Sequence, residues 1–248
     1  MTGIAQIGRR TVLALATALL LAACGSASDP TPDYRYRLTV EVDTPEGLRT
    51  GSGVIEVDTH EASRRASFPG QLRHRVRGEA VAVDLPDGQT LYALLRSESD
   101  IDWASRVMFL LASPNGSAGK SSFQRQFDNM LRLRGEQVLP RIWSRRIYPK
   151  PRSAYPMLVT FADESDPTSV ELVNPDDLAV TFGEGIKLEQ ITVSLTDDPI
   201  TMAIEDRLDW LPKTYDRMLD GRRLNTIEAE NQRANMLSQG SFFKGIIQ

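Results

Sequence analysis

The 248-residue sequence has one cysteine, Cys24, and two histidines, His60 and His74. A lone cysteine closes no disulfide within the chain, so the fold must stand on burial. Two histidines without an H-E-x-x-H or related spacing give no zinc pattern, and no G-x-S-x-G turn offers a nucleophile elbow. Both histidines fall in a polar stretch between apolar runs, where exposed or hydrogen-bonded imidazoles are expected. The basic excess of a nucleic-acid binder is also missing: 29 lysines and arginines face 33 acids, a formal charge of −4, so no nucleic-acid partner is expected. There is no internal repeat, and no apolar run reaches the roughly 20 residues that cross a hydrocarbon core.

The longest apolar run is residues 12–23, in which Thr17 is the only polar member. Arg9 and Arg10 precede it and are the only charges before Asp29. A charged start followed by an apolar run of this length is the pattern of a secretory signal. The run ends in Leu21-Ala22-Ala23-Cys24, which resembles the lipobox of bacterial lipoproteins. The resemblance implies cleavage before Cys24 and acylation of that residue, which makes the membrane a partner through a lipid anchor. Three acyl chains at about 0.8 kcal/mol per buried CH₂ amount to on the order of tens of kcal/mol, a permanent attachment. By the same resemblance, Gly25 after the cysteine implies the outer rather than the inner membrane, with the domain facing the periplasm. The paired arginines also loosely resemble a twin-arginine export signal. Loss of residues 1–23 removes two of the 29 basic residues and no acid, leaving 27 against 33 and a formal charge of −6.

Three segments follow: a signal at 1–23, the lipidated cysteine with a small, polar, proline-containing tether at 24–33, and one domain at 34–248. Tyr34, Tyr36, Leu38, Val40 and Val42 alternate with polar residues, which predicts a strand with one buried face. The 43–47 stretch predicts a turn and 53–57 its returning strand. A second hairpin is predicted for 79–85 and 90–95 around Pro86-Asp87-Gly88. Apolar spacings of three and four predict helices within 99–113 and 123–131, and strands are expected at 157–162, 170–173 and 186–195. Asn174-Pro175-Asp176-Asp177 carries a cap, a first-turn proline and two acids, so a short helix is expected there. Residues 202–211 and 219–238 lean helical. The sum is an α+β fold: antiparallel β-hairpins followed by helices and further strands, with a helical C-terminal region. At 34–47, 155–183 and 191–201 the chain resembles an uncharacterised proteobacterial protein family, which implies no activity.

Gly116-Ser117-Ala118-Gly119-Lys120-Ser121 looks like part of a phosphate-binding loop, but Pro114 stands where the motif needs its first glycine, so Lys120 is expected to hold no nucleotide. The acids at 163–166, 176–177 and 197–198 lack EF-hand spacing and are expected to be solvated turns. No catalytic residue, metal or cofactor is therefore expected. One stretch stands out: 138–156, VLPRIWSRRIYPKPRSAYP, carries Arg141, Arg145, Arg146, Lys150 and Arg152 with no acid, interleaved with Trp143, Tyr148 and Tyr155. Guanidinium forks beside aromatics suit an anionic envelope component, such as a lipid head group or a cell-wall carboxylate. The expected role is a membrane-anchored binding or structural module; the alternative is an envelope hydrolase without a recognisable motif.

Overall fold

The computed structural model describes residues 33–61, 72–112, 123–145 and 147–245. The fold is α+β, with two antiparallel sheets and few short helices. The first sheet holds β1 (Tyr34–Asp43), β2 (Arg49–Glu61), β3 (Leu72–Glu79), β6 (Gln137–Val138), β9 (Lys187–Leu195) and β10 (Phe243–Lys244), in the order β10-β3-β2-β1-β9-β6. The second holds β4 (Val81–Asp84), β5 (Thr90–Ala93), β7 (Leu158–Phe161) and β8 (Val170–Leu172), in the order β4-β5-β7-β8. Two longer helices, α1 (Trp103–Leu111) and α2 (Phe123–Leu131), lie between them in sequence.

β1 sets the plan. Its alternation buries Tyr34, Tyr36, Leu38, Val40 and Val42 on one face, where they meet Trp103, Val107 and Met108 of α1 and Phe127 and Met130 of α2. The Tyr36 hydroxyl donates to the Ala104 carbonyl at 2.8 Å, which ties strand to helix. On the other face, Glu56 of β2 is gripped by Arg35 of β1 at 2.8 Å and by Arg77 of β3, a cross-strand row of alternating sign. β3 was not expected as a strand; its arginines at 73, 75 and 77 face away from the core, and of its inner-facing residues His74 meets Thr59 Oγ1 at 3.0 Å while Val76 is buried. The polar character of the stretch is that of a strand at the sheet margin, where one face needs no apolar cover.

The chain passes from β3 to β4 through Ala80 alone, so the sheets share a corner. Gly51 lets that corner close: a Cβ there would sit 2.1 Å from the Ala82 carbonyl oxygen. β5 is buried throughout because its alternate residues enter two cores. Leu91 and Ala93 join the first, while Tyr92 and Leu94 join a second built with Val159, Phe161, Leu208, Trp210, Leu211, Leu219, Leu237 and Phe242. That second core is the underside of the C-terminal segment, which wraps the second sheet.

The helices of this wrap are single turns: α4 (Ile204–Arg207), α5 (Gln232–Asn235) and α6 (Gln239–Phe242). The long helical runs that the sequence leaned towards at 202–211 and 219–238 are broken because buried residues fall where irregular backbone delivers them. Likewise α3 (Ala179–Phe182) begins after the expected cap: Asn174 Oδ1 accepts from the Asp176 amide at 3.0 Å and caps a turn instead. No helix among the described residues is long and apolar enough to cross a membrane.

Candidate functional site

The basic stretch forms a hairpin-like loop. Ile142 bridges Ser153, the Trp143 amide donates to the Arg152 carbonyl at 2.9 Å, and the Ala154 amide donates to the Arg141 carbonyl at 3.3 Å. Trp143 and Ala154 are buried, and the Ala154 carbonyl accepts from the Trp103 indole at 2.8 Å, so the base of the loop is locked to α1. Arg141 belongs to that base. Its fork closes on Asp176 at 2.7 and 2.8 Å, its remaining nitrogen reaches Ser153 Oγ at 2.9 Å, and its guanidinium lies 5.5 Å from the Tyr155 ring centre. The hydrogen bonds from Arg141 hold the Asp176 carboxyl below its ordinary range and push the guanidinium's own value up. Arg152 stacks at 4.5 Å on Tyr148. Arg145 and Lys150 are exposed and make no ion pair among the described residues. Arg146 lies outside the described residues, as do Cys24, Pro114, Lys120 and the side chain of His60.

The acidic turns are self-contained. Asp163 Oδ1 accepts from the Ser165 amide and hydroxyl, Asp166 Oδ1 does the same for Thr168, and Asp198 pairs with Arg37 at 2.6 Å. Among the described residues no three histidine, cysteine or acidic side chains group so as to hold a metal ion. Two polar clefts of about 610 and 700 Å³ lie beside Glu164, the first also beside Asp84, and both of these carboxylates are engaged. Arg207 grips Asp84, and the Tyr92 hydroxyl donates to Glu164 at 2.6 Å. Burial, first, and this carboxylate, second, push the Tyr92 phenol well above its usual value.

A different arrangement occurs where β10 stops short on β3. Phe243 and Lys244 pair with Glu79 and Gly78, and among the described residues no ladder continues along the β3 edge beyond them. The C-terminal segment closes over this gap by way of a bridge between Met218 and Ser238, anchored by the Leu219 amide donating to the carbonyls of Ala234 and Leu237. The result is a cavity of about 840 Å³. Its apolar lining comes from Val76, Tyr215, Met218 and Phe243. Its charged lining is Arg75, Arg217, Arg223 and Lys244 against one acid, Asp216.

These cations are weakly committed. Arg75 and Arg223 make no ion pair among the described residues, and Arg217 approaches Asp216 only at 3.9 Å while donating to the Gly221 carbonyl at 3.1 Å. Burial lowers the Lys244 ammonium's value, although Asp100 and Asp102 act the other way. The hydroxyls on the lining, Thr214 and Ser238, have no histidine beside them in the cavity wall. A site so built can hold an anion with an apolar body.

None of these four cations was singled out from sequence. They lie between positions 75 and 244, and only the return of the C-terminal segment to the β3 edge brings them together. The local signal available was weak: Tyr215, Met218 and Leu224 interleaved with Arg217, Arg222 and Arg223. No family model, curated protein or solved structure matches this chain.

Proposed function

We propose that the chain is a lipoprotein of the bacterial cell envelope, anchored through Cys24, whose periplasm-facing domain binds a small anionic ligand. The observation that carries this reading is the cavity beside β3, with its apolar wall and its excess of weakly committed cations. Its volume of about 840 Å³ falls in the range of roughly 300–1,000 Å³ usual for ligand sites. The exposed Arg145, Lys150 and Arg152 are a second, surface contact for an anionic envelope component, each cation near an anionic surface being worth about 1 kcal/mol. A hydrolase reading has no nucleophile–base couple in the cavity to support it.

Two measurements test the proposal. The full chain, taken from membranes in detergent-free polymer discs, should carry a small molecule at close to one per protein by native mass spectrometry. Met218→Trp or Gly240→Phe, which fill the cavity, should lose it while keeping the melting temperature. A parent without ligand, or filled variants that retain it, would remove the binding reading. Separately, Cys24→Ser should leave the membrane fraction and keep residues 1–23; unchanged fractionation and mass would remove the anchor.

A further inference from the structure

We infer that the ligand of this cavity is an anionic single-chain amphiphile, an acyl chain ending in a carboxylate or phosphate, taken from the lipid surface beside which the domain sits. The inference rests on the binding reading above and names the ligand class for the same site.

The lining combines an apolar wall with a group of cations, and Thr214, Ser238 and Gln239 are its neutral polar members. Val76, Met218 and Phe243 offer contact to a hydrocarbon chain. Arg75, Arg217 and Arg223 offer planar donors to a terminal anion. A purely apolar ligand would leave these charges facing it without return, and a bare anion would leave the apolar wall wet. An amphiphile satisfies both at once.

The chain segment that carries Arg217 and Arg223 adds an independent observation. Tyr215, Leu224 and Ile227 are 57, 77 and 93 % exposed, and the segment carrying them also carries Arg217, Arg222 and Arg223. Large apolar side chains held out in water beside arginines are the composition of a segment that meets a membrane interface. Tyr215 itself lines the cavity and Leu224 follows the lining Arg223 in the chain, so exposed apolar side chains adjoin the cationic lining. A tether of nine residues, 25–33, reaches about 30 Å at most, at roughly 3.3–3.6 Å per extended residue. The domain of a Cys24-anchored chain therefore works within one domain diameter of the lipid surface.

The test uses the full chain in phosphatidylcholine discs and a diazirine-bearing palmitate as probe. Crosslinks should fall within 214–218 and 238–245. Dodecanoate or dodecyl phosphate should displace the probe at a concentration about tenfold or more below that of dodecanol, and whichever of the two is stronger identifies the head group. Arg217→Gln with Arg223→Gln should weaken probe binding by about tenfold with the melting temperature kept, and Met218→Trp should abolish it. Dodecanol competing as well as dodecanoate would overturn the anionic head, and inorganic phosphate competing as well would overturn the chain. Crosslinks elsewhere would overturn the site. A co-purified molecule that is lost on filling the cavity but is not an acyl anion would overturn this inference and leave the binding reading standing. Absence of any such molecule would end both.

Discussion

From β1 to β9 the buried backbone is satisfied by strand ladders and two helices; from residue 196 to 245 side chains take over much of that work. Asn235 is the hub of the second region. Fully buried, it donates to Asp220 Oδ2 at 2.9 Å and to the Leu224 carbonyl at 3.2 Å, and accepts from the Thr226 amide at 2.7 Å. Gln232 reaches the carbonyls of Ile227 and Ala229 at 2.9 and 2.7 Å. Each such amide replaces ladder bonds that an irregular backbone cannot make. Regular structure here builds the frame, and side-chain-tied loops build the wall that closes the cavity.

The sharpest way to break this comparison is to remove one tryptophan from each region. Trp103→Ala and Trp210→Ala should each destabilise the fold by about 3–5 kcal/mol, since both side chains are buried and each indole donates at 2.8 Å to a carbonyl. Because the second sheet has a core on both faces, circular dichroism and fluorescence should report one shared transition in urea for either variant. Two separated transitions would show the wrap to be an independent unit.

Asn235→Leu should come next, at about 1–3 kcal/mol, by stranding the Thr226 amide and the Leu224 carbonyl. Its increase in amide hydrogen exchange should be confined to residues near 218–236. An increase spread into β1 and β2 would contradict the division of labour. Gly51→Ala probes the frame in the same energy range, about 1–3 kcal/mol, through overpacking against a carbonyl that no side-chain rotation can move. A melting temperature equal to the parent's would show the corner to be compliant.

The smallest effect is expected where the two regions meet. Glu79 of β3 accepts from the Ile204 amide of α4 at 2.6 Å, and burial is the first cause that raises its value above the usual carboxyl range, the Ile204 and Ala203 amides opposing. A carboxyl raised in the fold favours the protonated native state. Its contribution is therefore present below the unfolded value and lost as pH rises through the folded one. Glu79→Gln, which keeps an acceptor for Ile204, should be neutral or slightly stabilising at pH 7 and should flatten the pH dependence above the ordinary carboxyl range. A steeper fall in stability for the variant at neutral pH would mean that the ionised form is the stabilising one.

Much of the frame was legible. The alternation of β1 has a period of two because one face alone is buried, and Pro86-Asp87-Gly88 turns between β4 and β5 with Asp87 and Gly88 at φ 61° and 75°. The run TLYALL in and after β5 lacks alternation because both its faces enter cores. β3 was harder, since a marginal strand with arginines on its solvent face resembles a loop in composition. Residues 202–238 were hardest: glycine, asparagine and aspartate interrupt every helical period there, and the bonds of Asn235 and Gln232 are decisions of packing.

In the basic stretch, residue identity settles the density of positive charge at 141–152 and the absence of an acid within it. It could not fix that Arg141 is spent on Asp176, 35 residues away, while Arg145 and Lys150 stay exposed. The same holds for the cavity. Local alternation and turn chemistry are short-range physics, carried by neighbours in the chain, and they determined the strands and hairpins. The meeting of Arg75, Arg217, Arg223 and Lys244 depends on where β10 stops along β3 and on the Met218–Ser238 bridge. Those contacts join residues far apart in the chain, which short-range physics does not bring together, so the site belongs to the tertiary packing.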